Sequence, residues 1–518
     1  MLKCSYNYYD YMEVHMHIVY HQAGGATYAR LAESYREGNR VMKRTTNLGK
    51  VIDKENGIYQ NRDRGIYKFD IATMEYSELS PKQIPDTCIK DVPLREKLIL
   101  DFGDTYLVDQ FLADSGLKIA IDAVKCKNPD TLYAMLCYYI LCSAANCHAA
   151  SWFEGNYARI IYPKAKLSSQ RISEFLAEIG DEAVYRGFFS EYLGYFANHK
   201  DDGESILIDS TGLPNSVHFP LTAISNHNGE ISEEVRLIYV TQQESGLPIY
   251  FRYCPGNIID VNTLIRTMKE LKQNGVDTKF AILDAGYYDD ENIEELYSNG
   301  ISFITRLKEN RKIYKQLVSE HLDSLETKEN FVRYNERFAY IKRVKCELVP
   351  GRKAYAYIGL DIARRGSESR KLFKSAKARK LSDDEVYDIM STQGVFILVS
   401  SRPMAKDKIL PAYYTRQNVE QIFDIGKNYA DMLPLRIQTE DTFRGHLLLT
   451  FIATVTVKLM QDRLLDSPYN PFSMFMNLRN LKCKIYGDCI ITAEPFKKAN
   501  DCFKLFGISC PDELMLLE

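Results

Sequence analysis

The sequence predicts a mixed α/β protein, in which a mixed-sheet core is interrupted by a β-rich insertion and follows a mainly helical N-terminal region carrying a basic hairpin. Apolar residues at helical spacing dominate residues 96–200, and short apolar strands alternate with helices after residue 204. A basic stretch then separates two parts of this alternation. Since 518 residues exceed what one hydrophobic core usually holds, several domains are expected.

The N-terminal half is predicted to contain two regions. In residues 1–95, residues 28–35 and 41–46 fit two strands of a small basic hairpin around the turn Glu37-Gly38-Asn39. Residues 96–200 fit a helical domain, because DTLYAMLCYYILCSAANCHAASW and SSQRISEFLAEIGDEAVYRGFFSEYLGYF have apolar residues at helical spacing. The polar stretch 198–204 ends this pattern and predicts a domain boundary.

The C-terminal half is predicted to contain a core in two parts. In residues 201–310, the strands SILID, VRLIYVT and PIYFRYC fit an antiparallel arrangement, and VNTLIRTMKELKQNG, KFAILDAGYY, ENIEELYSNG and ISFITRLK continue as helix, strand, helix and strand. The order β-β-β-α-β-α-β is that of an RNase H-like core. Residues 311–392 are predicted to be a basic β-rich insertion, 393–466 the second part of the core with a long helix from near Ala405, and 467–518 a C-terminal tail.

Composition and charge exclude several classes of protein. With 45% hydrophobic and 26% charged residues, the chain has the composition of a soluble globular protein, and no run of about 18 apolar residues predicts a membrane span. The first residues lack the pattern of a secretory signal, so a cytoplasmic location is expected. The absence of a C-x2-C pair argues against a zinc site.

The charge is unevenly distributed along the chain. The net charge is −3, but residues 333–380 contain 15 lysines and arginines against 4 acidic residues. Such a patch attracts phosphate backbones through Coulomb interaction and counterion release. Taken alone, it fits a solvated loop equally well.

Two aspartates stand where apolar strands are predicted to end. Asp209 follows the run Ile206-Leu207-Ile208, and Asp284 follows the run at 280–283. A carboxylate at such a position is costly unless it is paired or binds a cation, so two of them in one domain suggest a shared ion site. Each aspartate alone also fits a helix or turn cap.

A third acidic residue lies in YYTRQNVEQIFDIGK. There Tyr413, Arg416, Glu420 and Lys427 are separated by three, four and seven residues, a spacing that places all four on one face of a helix. The neighbouring face is apolar and predicts attachment to a core. An exposed ladder of ion pairs is the alternative interpretation of the polar face.

This spacing, Y-x2-R-x3-E-x6-K, resembles the signature of DDE transposases of bacterial insertion sequences, in the insertion-sequence-four superfamily. ILIDSTGL resembles the first-aspartate strand of that family, LDAGYYDDENI its second-aspartate motif, and YCPGNIIDVNTL the segment between them. LRIQTEDTFRGHLLLTFIA and, more weakly, YREGNRVMKRTTNLGK extend the similarity over most of the chain. The resemblance implies an RNase H-like catalytic core with a mostly β insertion before the glutamate helix, which accords with the 136 residues from Asp284 to Glu420.

The resemblance also implies a mechanism. Asp209, Asp284 and Glu420 would be the catalytic residues and would hold two Mg2+ or Mn2+ ions, one activating a water or a DNA 3′-hydroxyl and the other stabilising the leaving oxygen. Contacts to DNA phosphates are expected from the N-terminal hairpin and from the following side chains: Tyr413, Arg416, Lys427, Arg364, Arg365, Arg370 and Lys371.

The expected partners are double-stranded DNA, as terminal inverted repeats and as target, and a second copy of the chain in a homodimer, with no membrane. Two alternatives remain open. One is an RNase H-like nuclease that cuts without joining, and the other is a domesticated DNA-binding protein that has lost catalysis. The presence of all three acidic residues weakens the second alternative.

Overall fold

The computed structural model describes residues 15–23, 25–37, 40–61, 64–79, 98–142, 144–199, 205–215, 219–227, 230–258, 261–379, 381–428, 432, 437, 439–486 and 489–515. The chain forms two compact units, Met1–Leu98 and Ile99–Glu518.

The first unit is an antiparallel sheet whose six strands follow one another in sequence order. The strands are β1 (His15–Ala23), β2 (Ala26–Glu37), β3 (Arg40–Asp53), β4 (Ile58–Asn61), β5 (Gly65–Asp70) and β6 (Glu75–Glu78). Leu31, Leu48, Tyr59 and Phe69 are among the residues of its small core. The segments of the predicted basic hairpin lie in β2 and β3, inside this wider sheet, while residues 38 and 39 of the predicted turn lie outside the described residues.

Strand β7 (Leu98–Asp101) begins at the last residue of the first unit, and a group of helices follows it in the second unit. These are α1 (Gly103–Asp114), α2 (Lys118–Asp122), α3 (Pro129–Leu141), α4 (Ala149–Glu154), α5 (Ala158–Ile161), α6 (Ser169–Ile179) and α7 (Glu182–His199). Helix α3 begins at Pro129 after the Asn128 side chain, which accepts a hydrogen bond from the Thr131 N–H. From Thr131 to Leu141 every residue of α3 is buried, so this helix forms the centre of the helical region.

A long mixed sheet forms the other half of the second unit. Its strands are β8 (Ser205–Pro214), β9 (Ala223–His227), β10 (Glu230–Gln242), β11 (Pro248–Pro255), β12 (Phe280–Leu283), β13 (Ser302–Arg306), β14 (Phe331–Tyr334), β15 (Arg337–Glu347), β16 (Lys353–Asp361) and β17 (Val395–Ser400). Their order is β11-β10-β8-β12-β13-β17-β16-β15-β14, with β9 beside β10. The β8/β12 and β12/β13 pairs are parallel and the other pairs antiparallel. Helices α8 (Val261–Gln273) and α9 (Asp290–Ser298) connect strands of the first part.

Residues 311–392 differ from the β-rich insertion that the sequence predicts. Their strands β14–β16 extend the main sheet, and three helices accompany them: α10 (Lys312–His321), α11 (Ile362–Arg379) and α12 (Asp383–Ser391). The most basic run lies in α11, neither in a strand nor in a loop. After Ile362 this run contains no β-branched residue and is rich in alanine, lysine and arginine, which favour helix.

The helix predicted from near Ala405 is divided in two, and this corrects the expectation of one continuous face. Helix α13 (Lys406–Tyr414) ends before Thr415, and α14 (Gln417–Asn428) begins after Arg416. The Thr415 hydroxyl donates to the Ala412 carbonyl at 2.6 Å, and the Arg416 N–H donates to the Tyr413 carbonyl at 3.2 Å. The Arg416 N–H therefore bonds three residues back and not four, and the Ala412 carbonyl, its regular partner in a helix, accepts the Thr415 hydroxyl instead. This exchange of partners bends the chain.

Helix α15 (Glu440–Arg463) joins the sheet to the helical region by packing against α3 and α6. A Cβ at Gly445 would lie 1.9 Å from the Leu176 carbonyl oxygen, so only glycine allows this approach of α15 to α6. By length and composition alone α15 passes as a membrane span, yet 89% of its apolar window is buried inside the protein. This burial is typical of a core helix.

Residues 467–518 form regular structure where the sequence predicts only a tail. They contain α16 (Pro471–Arg479), β18 (Lys482–Tyr486), β19 (Cys489–Thr492), α17 (Lys497–Leu505) and β20 (Glu513–Met515). The strands form a small sheet in the order β20-β19-β18-β7. The C-terminal segment thus closes the helical region by pairing with its first strand.

Candidate active site

The two predicted aspartates lie side by side at one end of the parallel ladder. The last pair of the β8/β12 ladder is Ile208 with Leu283. Asp209 and Asp284 are the residues that directly follow this pair in the chain. Asp209 lies inside β8 and does not end it, because β8 continues to Pro214 in antiparallel pairing with β10. The two carboxylates therefore come together where β12 ends beside the continuing strand β8.

Asp284 is the N-terminal flanking residue of a short 3-10 turn at 285–287, but its side chain makes no capping hydrogen bond. The cap interpretation therefore does not hold for Asp284. Its carboxylate contacts residues of α13 and of the break before α14.

Glu420 is brought to the aspartates by α14. The buried side chains of Val419 and Ile422 attach this helix to the core, and the Phe423 ring lies 5.3 Å from the Tyr239 ring of β10. Since Tyr239 is the cross-strand partner of Asp209, the apolar face of α14 packs on the strand pair that carries the first aspartate. Glu420 lies in the first turn of this helix.

Arg416 contacts all three carboxylates. Its Nη1 lies 3.0 Å from Asp209 Oδ2 and 3.2 Å from Asp284 Oδ1, and its Nη2 lies 3.0 Å from Glu420 Oε1. The two aspartate oxygens can therefore be no farther apart than the sum of the first two distances. The structure thus brings Asp209, Asp284 and Glu420 together around one guanidinium.

The exposure of these side chains defines an open and a closed side of the cluster. The exposed fraction rises from 14% for Asp209 through 21% for Arg416 and 39% for Asp284 to 54% for Glu420. Burial opposes the charge of Arg416, but the carboxylates of Asp284 and Asp209 hold the pKa of its guanidinium above the ordinary value. The guanidinium is therefore a permanent cation at this position.

The remaining residues of the signature lie on two sides of the cluster. The Tyr413 hydroxyl, on α13, is 3.5 Å from Asp284 Oδ1, and burial, reinforced by the Asp284 carboxylate, raises the pKa of Tyr413. On α14, Lys427 donates to the Thr211 hydroxyl at 2.7 Å, and burial lowers the pKa of its ammonium. Tyr413, Arg416 and Lys427 therefore contact β8 or the residue after β12, and Glu420 is linked to the two aspartates through Arg416.

The carboxylates suit a divalent cation by their chemistry, because all three offer hard oxygen ligands and already surround a cationic group. As arranged, however, no three His, Cys, Asp or Glu side chains among the described residues are grouped to hold a metal ion. Arg416 fills the space between the acids. The oxygen donors of these residues therefore fit a hard divalent cation, and in this arrangement the guanidinium lies between them.

The four basic residues predicted from the 333–380 patch fall into two pairs on α11. Arg364 is 2.6 Å from Glu368 and 3.8 Å from Glu309, and Arg365 is 2.7 Å from Glu326, so both are held by carboxylates of the protein itself. Arg370 and Lys371 are exposed, and among the described side chains none forms an ion pair with them. Only the second pair is free to meet an external phosphate.

The contact of Lys427 with Thr211 was not predicted from the sequence. A signal for it exists in ILIDSTGL, because residues 209 and 211 of a strand point to the same face. The bridging position of Arg416 was also missed. The spacing of four residues between Arg416 and Glu420 predicts an ion pair between these two side chains. It does not predict the contacts of Arg416 with the two aspartates.

Comparison with known proteins gives a matching family model and similar solved structures. The model of the transposase DDE domain matches residues 201–456. The cryo-EM structure of a piggyBac transposase synaptic complex with hairpin DNA is similar with a TM-score of 0.38 and 9% sequence identity, over 77% of this chain and 77% of that chain. No curated protein matches the sequence.

Proposed function

Because this protein is a transposase that carries a DDE domain in residues 201–456, we propose that it cleaves DNA at the ends of an insertion sequence and joins those ends to target DNA. The observation that supports the proposal is the meeting of Asp209, Asp284 and Glu420 around Arg416, within 3.2 Å of its guanidinium nitrogens. We infer further that residues 205–306 with α14 form an RNase H-like core. The strand order β11-β10-β8-β12-β13 and the element order along the chain support this inference.

The three carboxylates would hold two Mg2+ or Mn2+ ions. When bound, such ions supply the stabilisation of charge on the attacking and leaving oxygens of a phosphodiester. The protein contributes the positions of the ligands. Asp209 and Asp284 are fixed by the β8/β12 ladder, whereas Glu420 lies on the more exposed side of the cluster, where DNA has access.

DNA would be held by cationic and phenolic groups around this cluster. Tyr413 and Arg416 contact the carboxylates, Lys427 contacts the Thr211 hydroxyl on β8, and Arg416 presents a fork that suits two phosphate oxygens. On α11, Arg370 and Lys371 would contact the DNA backbone. Arg364 and Arg365 would do so only after leaving their ion pairs with Glu309, Glu326 and Glu368.

We assign the chain to the insertion-sequence-four superfamily on the spacing of Tyr413, Arg416, Glu420 and Lys427. The substrates would be duplex terminal inverted repeats and a duplex target, and the active complex would contain two copies of the chain. The break between α13 and α14 does not weaken the assignment, because all four side chains still reach one region.

A strand-transfer assay tests the proposal. The full chain is incubated with Mg2+, a labelled duplex bearing the inverted repeat that flanks its coding sequence, and a supercoiled target plasmid. Labelled ends joined to the plasmid are expected for the wild type, and Asp209→Asn should give neither cleavage nor joining. Cleavage without joined product would instead identify a nuclease. DNA binding without cleavage would identify a binding protein.

A further inference from the structure

Arg416 is the only described cation that contacts Asp209, Asp284 and Glu420 together. Three carboxylates that converge at this distance repel one another, and a guanidinium between them relieves the repulsion. A divalent ion that binds the same oxygens would be repelled by that guanidinium. The same position therefore cannot hold both cations.

We propose that Arg416 is an internal substitute for the metal, which occupies the carboxylate site in the metal-free protein and is displaced when a divalent ion binds. The proposal rests on the metal site put forward above. It gives Arg416 two successive partners, the protein's own carboxylates before metal binding and a DNA phosphate afterwards. Metal binding would then free the arginine for DNA.

The position of Arg416 in the chain permits this movement. It lies in the break between α13 and α14, so its backbone belongs to neither helix, and its carbonyl accepts a short-range bond from the Val419 N–H at 3.0 Å. The cluster is open on the side of Glu420, whose side chain is 54% exposed. The guanidinium can therefore leave toward solvent without crossing the core.

Lys427 does not share this role. Its ammonium is attached to the Thr211 hydroxyl at 2.7 Å, and no ion pair to Asp209, Asp284 or Glu420 is found among the described residues. Its removal would leave the carboxylate site as it is. Of the cations in the described part of the chain, Arg416 is thus the one expected to compete with the metal.

Arg444 offers a matched control elsewhere in the chain. Like Arg416, it lies near three carboxylates, at 3.7 Å from Glu182, 3.4 Å from Glu440 and 3.7 Å from Asp441. Arg444→Gln removes the same charge as Arg416→Gln without touching the predicted metal ligands. A general electrostatic effect on metal binding would appear in both variants.

The test is a titration of the full-length protein with Mn2+, followed by calorimetry and by the electron paramagnetic resonance of free Mn2+. If Arg416 occupies the site most of the time, its removal should tighten Mn2+ binding by about tenfold or more, since the metal no longer competes with an occupied state. The Mn2+ affinity of Arg416→Lys should lie between those of the wild type and Arg416→Gln, because an ammonium makes fewer simultaneous contacts than a guanidinium. Arg444→Gln should bind Mn2+ as the wild type does.

Thermal unfolding gives a second readout. Without metal, Arg416→Gln should unfold at a lower temperature than the wild type, and saturating Mn2+ should narrow the difference. The proposal is overturned if Arg416→Gln binds Mn2+ no more tightly than the wild type, or if Arg444→Gln tightens binding equally. If Arg416→Gln does not fold, the Mn2+ affinity of Arg416→Lys is compared with that of the wild type instead, and the proposal is overturned if Arg416→Lys binds Mn2+ no more tightly. Mn2+ binding that Asp209→Asn leaves unchanged would instead refute the metal site itself.

Discussion

The Lys427 ammonium of α14 is hydrogen-bonded to the Thr211 hydroxyl, two residues beyond Asp209 on β8, at 2.7 Å. The last residue of the signature is thereby attached to the strand of the first aspartate. We expect Thr211→Val to slow DNA cleavage by about fivefold, since a hydrogen bond of this kind contributes about 1 kcal/mol to positioning. Single-turnover cleavage measures the effect. Thr211→Ser keeps the acceptor and should restore the rate, and equal rates for the two variants would contradict the role of the hydroxyl.

Glu420→Gln should abolish Mg2+-dependent cleavage and leave the unfolding temperature and the DNA affinity close to those of the wild type. The substitution preserves shape but removes the charge of a proposed metal ligand. Asp424→Asn provides a control, because Asp424 is exposed on the same helix and none of its described contacts involves the three carboxylates. Cleavage by Glu420→Gln at a rate near that of Asp424→Asn would remove Glu420 from the site.

The two basic pairs on α11 should behave differently. Replacing Arg370 and Lys371 with Gln should lower the salt dependence of DNA binding by about 0.9 in log–log slope for each lost phosphate contact. Replacing Arg364 and Arg365 with Gln should mainly destabilise the fold, because these arginines are paired with Glu309, Glu326 and Glu368. Filter binding over a range of salt concentrations measures both slopes. If the salt dependence of DNA binding has the same slope in the wild type and in the variant at Arg370 and Lys371, these two residues do not contact DNA.

His446 should make stability depend on pH. It is buried on α15, where its Nδ1 lies 2.8 Å from the Tyr139 hydroxyl and its Nε2 lies 3.2 Å from the Met432 carbonyl. Burial lowers the pKa of His446 from 6.5 to about 4. Between these values the unfolded chain binds more protons than the folded chain. Stability is therefore complete above pH 6.5 and falls, by on the order of 3 kcal/mol, as the pH drops toward 4.

Urea unfolding across this pH window measures the effect. His446→Gln removes the titrating group and should flatten the dependence. His148→Gln, at an exposed position, controls for the loss of a histidine as such. If the free energy of unfolding of His446→Gln depends on pH as that of the wild type does, other groups cause the dependence.

The positions of the two aspartates were accessible from the sequence because each follows a run of apolar residues that forms a buried strand. What the sequence could not show is that β8 continues past Asp209. The run Ser210-Thr211-Gly212 carries no apolar signal, and its pairing with β10 is a non-local contact. The expectation that Asp209 and Asp284 share a site therefore rested on an incomplete description of the strand, and the structure places both carboxylates against Arg416.

The break before α14 was not predictable from spacing. Offsets of three, four and seven residues are the same in one helix and in two helices joined by a short turn. The break depends on the Thr415 hydroxyl reaching the Ala412 carbonyl at 2.6 Å and on a guanidinium drawn to three carboxylates, and two of these lie more than 130 residues earlier in the chain. Long-range charge contacts of this kind leave no local pattern.

The continuous pairing of β13, β17 and β16 also bears on how the chain tolerates deletion. The segment between Asp284 and Glu420 is bonded into the same sheet as β8 and β12, through β16 on β17 and β17 on β13. Deleting residues 331–361 would uncover β17, whose six residues are all buried, as an apolar edge that invites aggregation. We therefore expect that this segment cannot be deleted without exposing apolar surface. Changes in length should be tolerated at its turns, such as the one at Asn335, which already adopts a positive φ of 51° at the open end of β14 and β15.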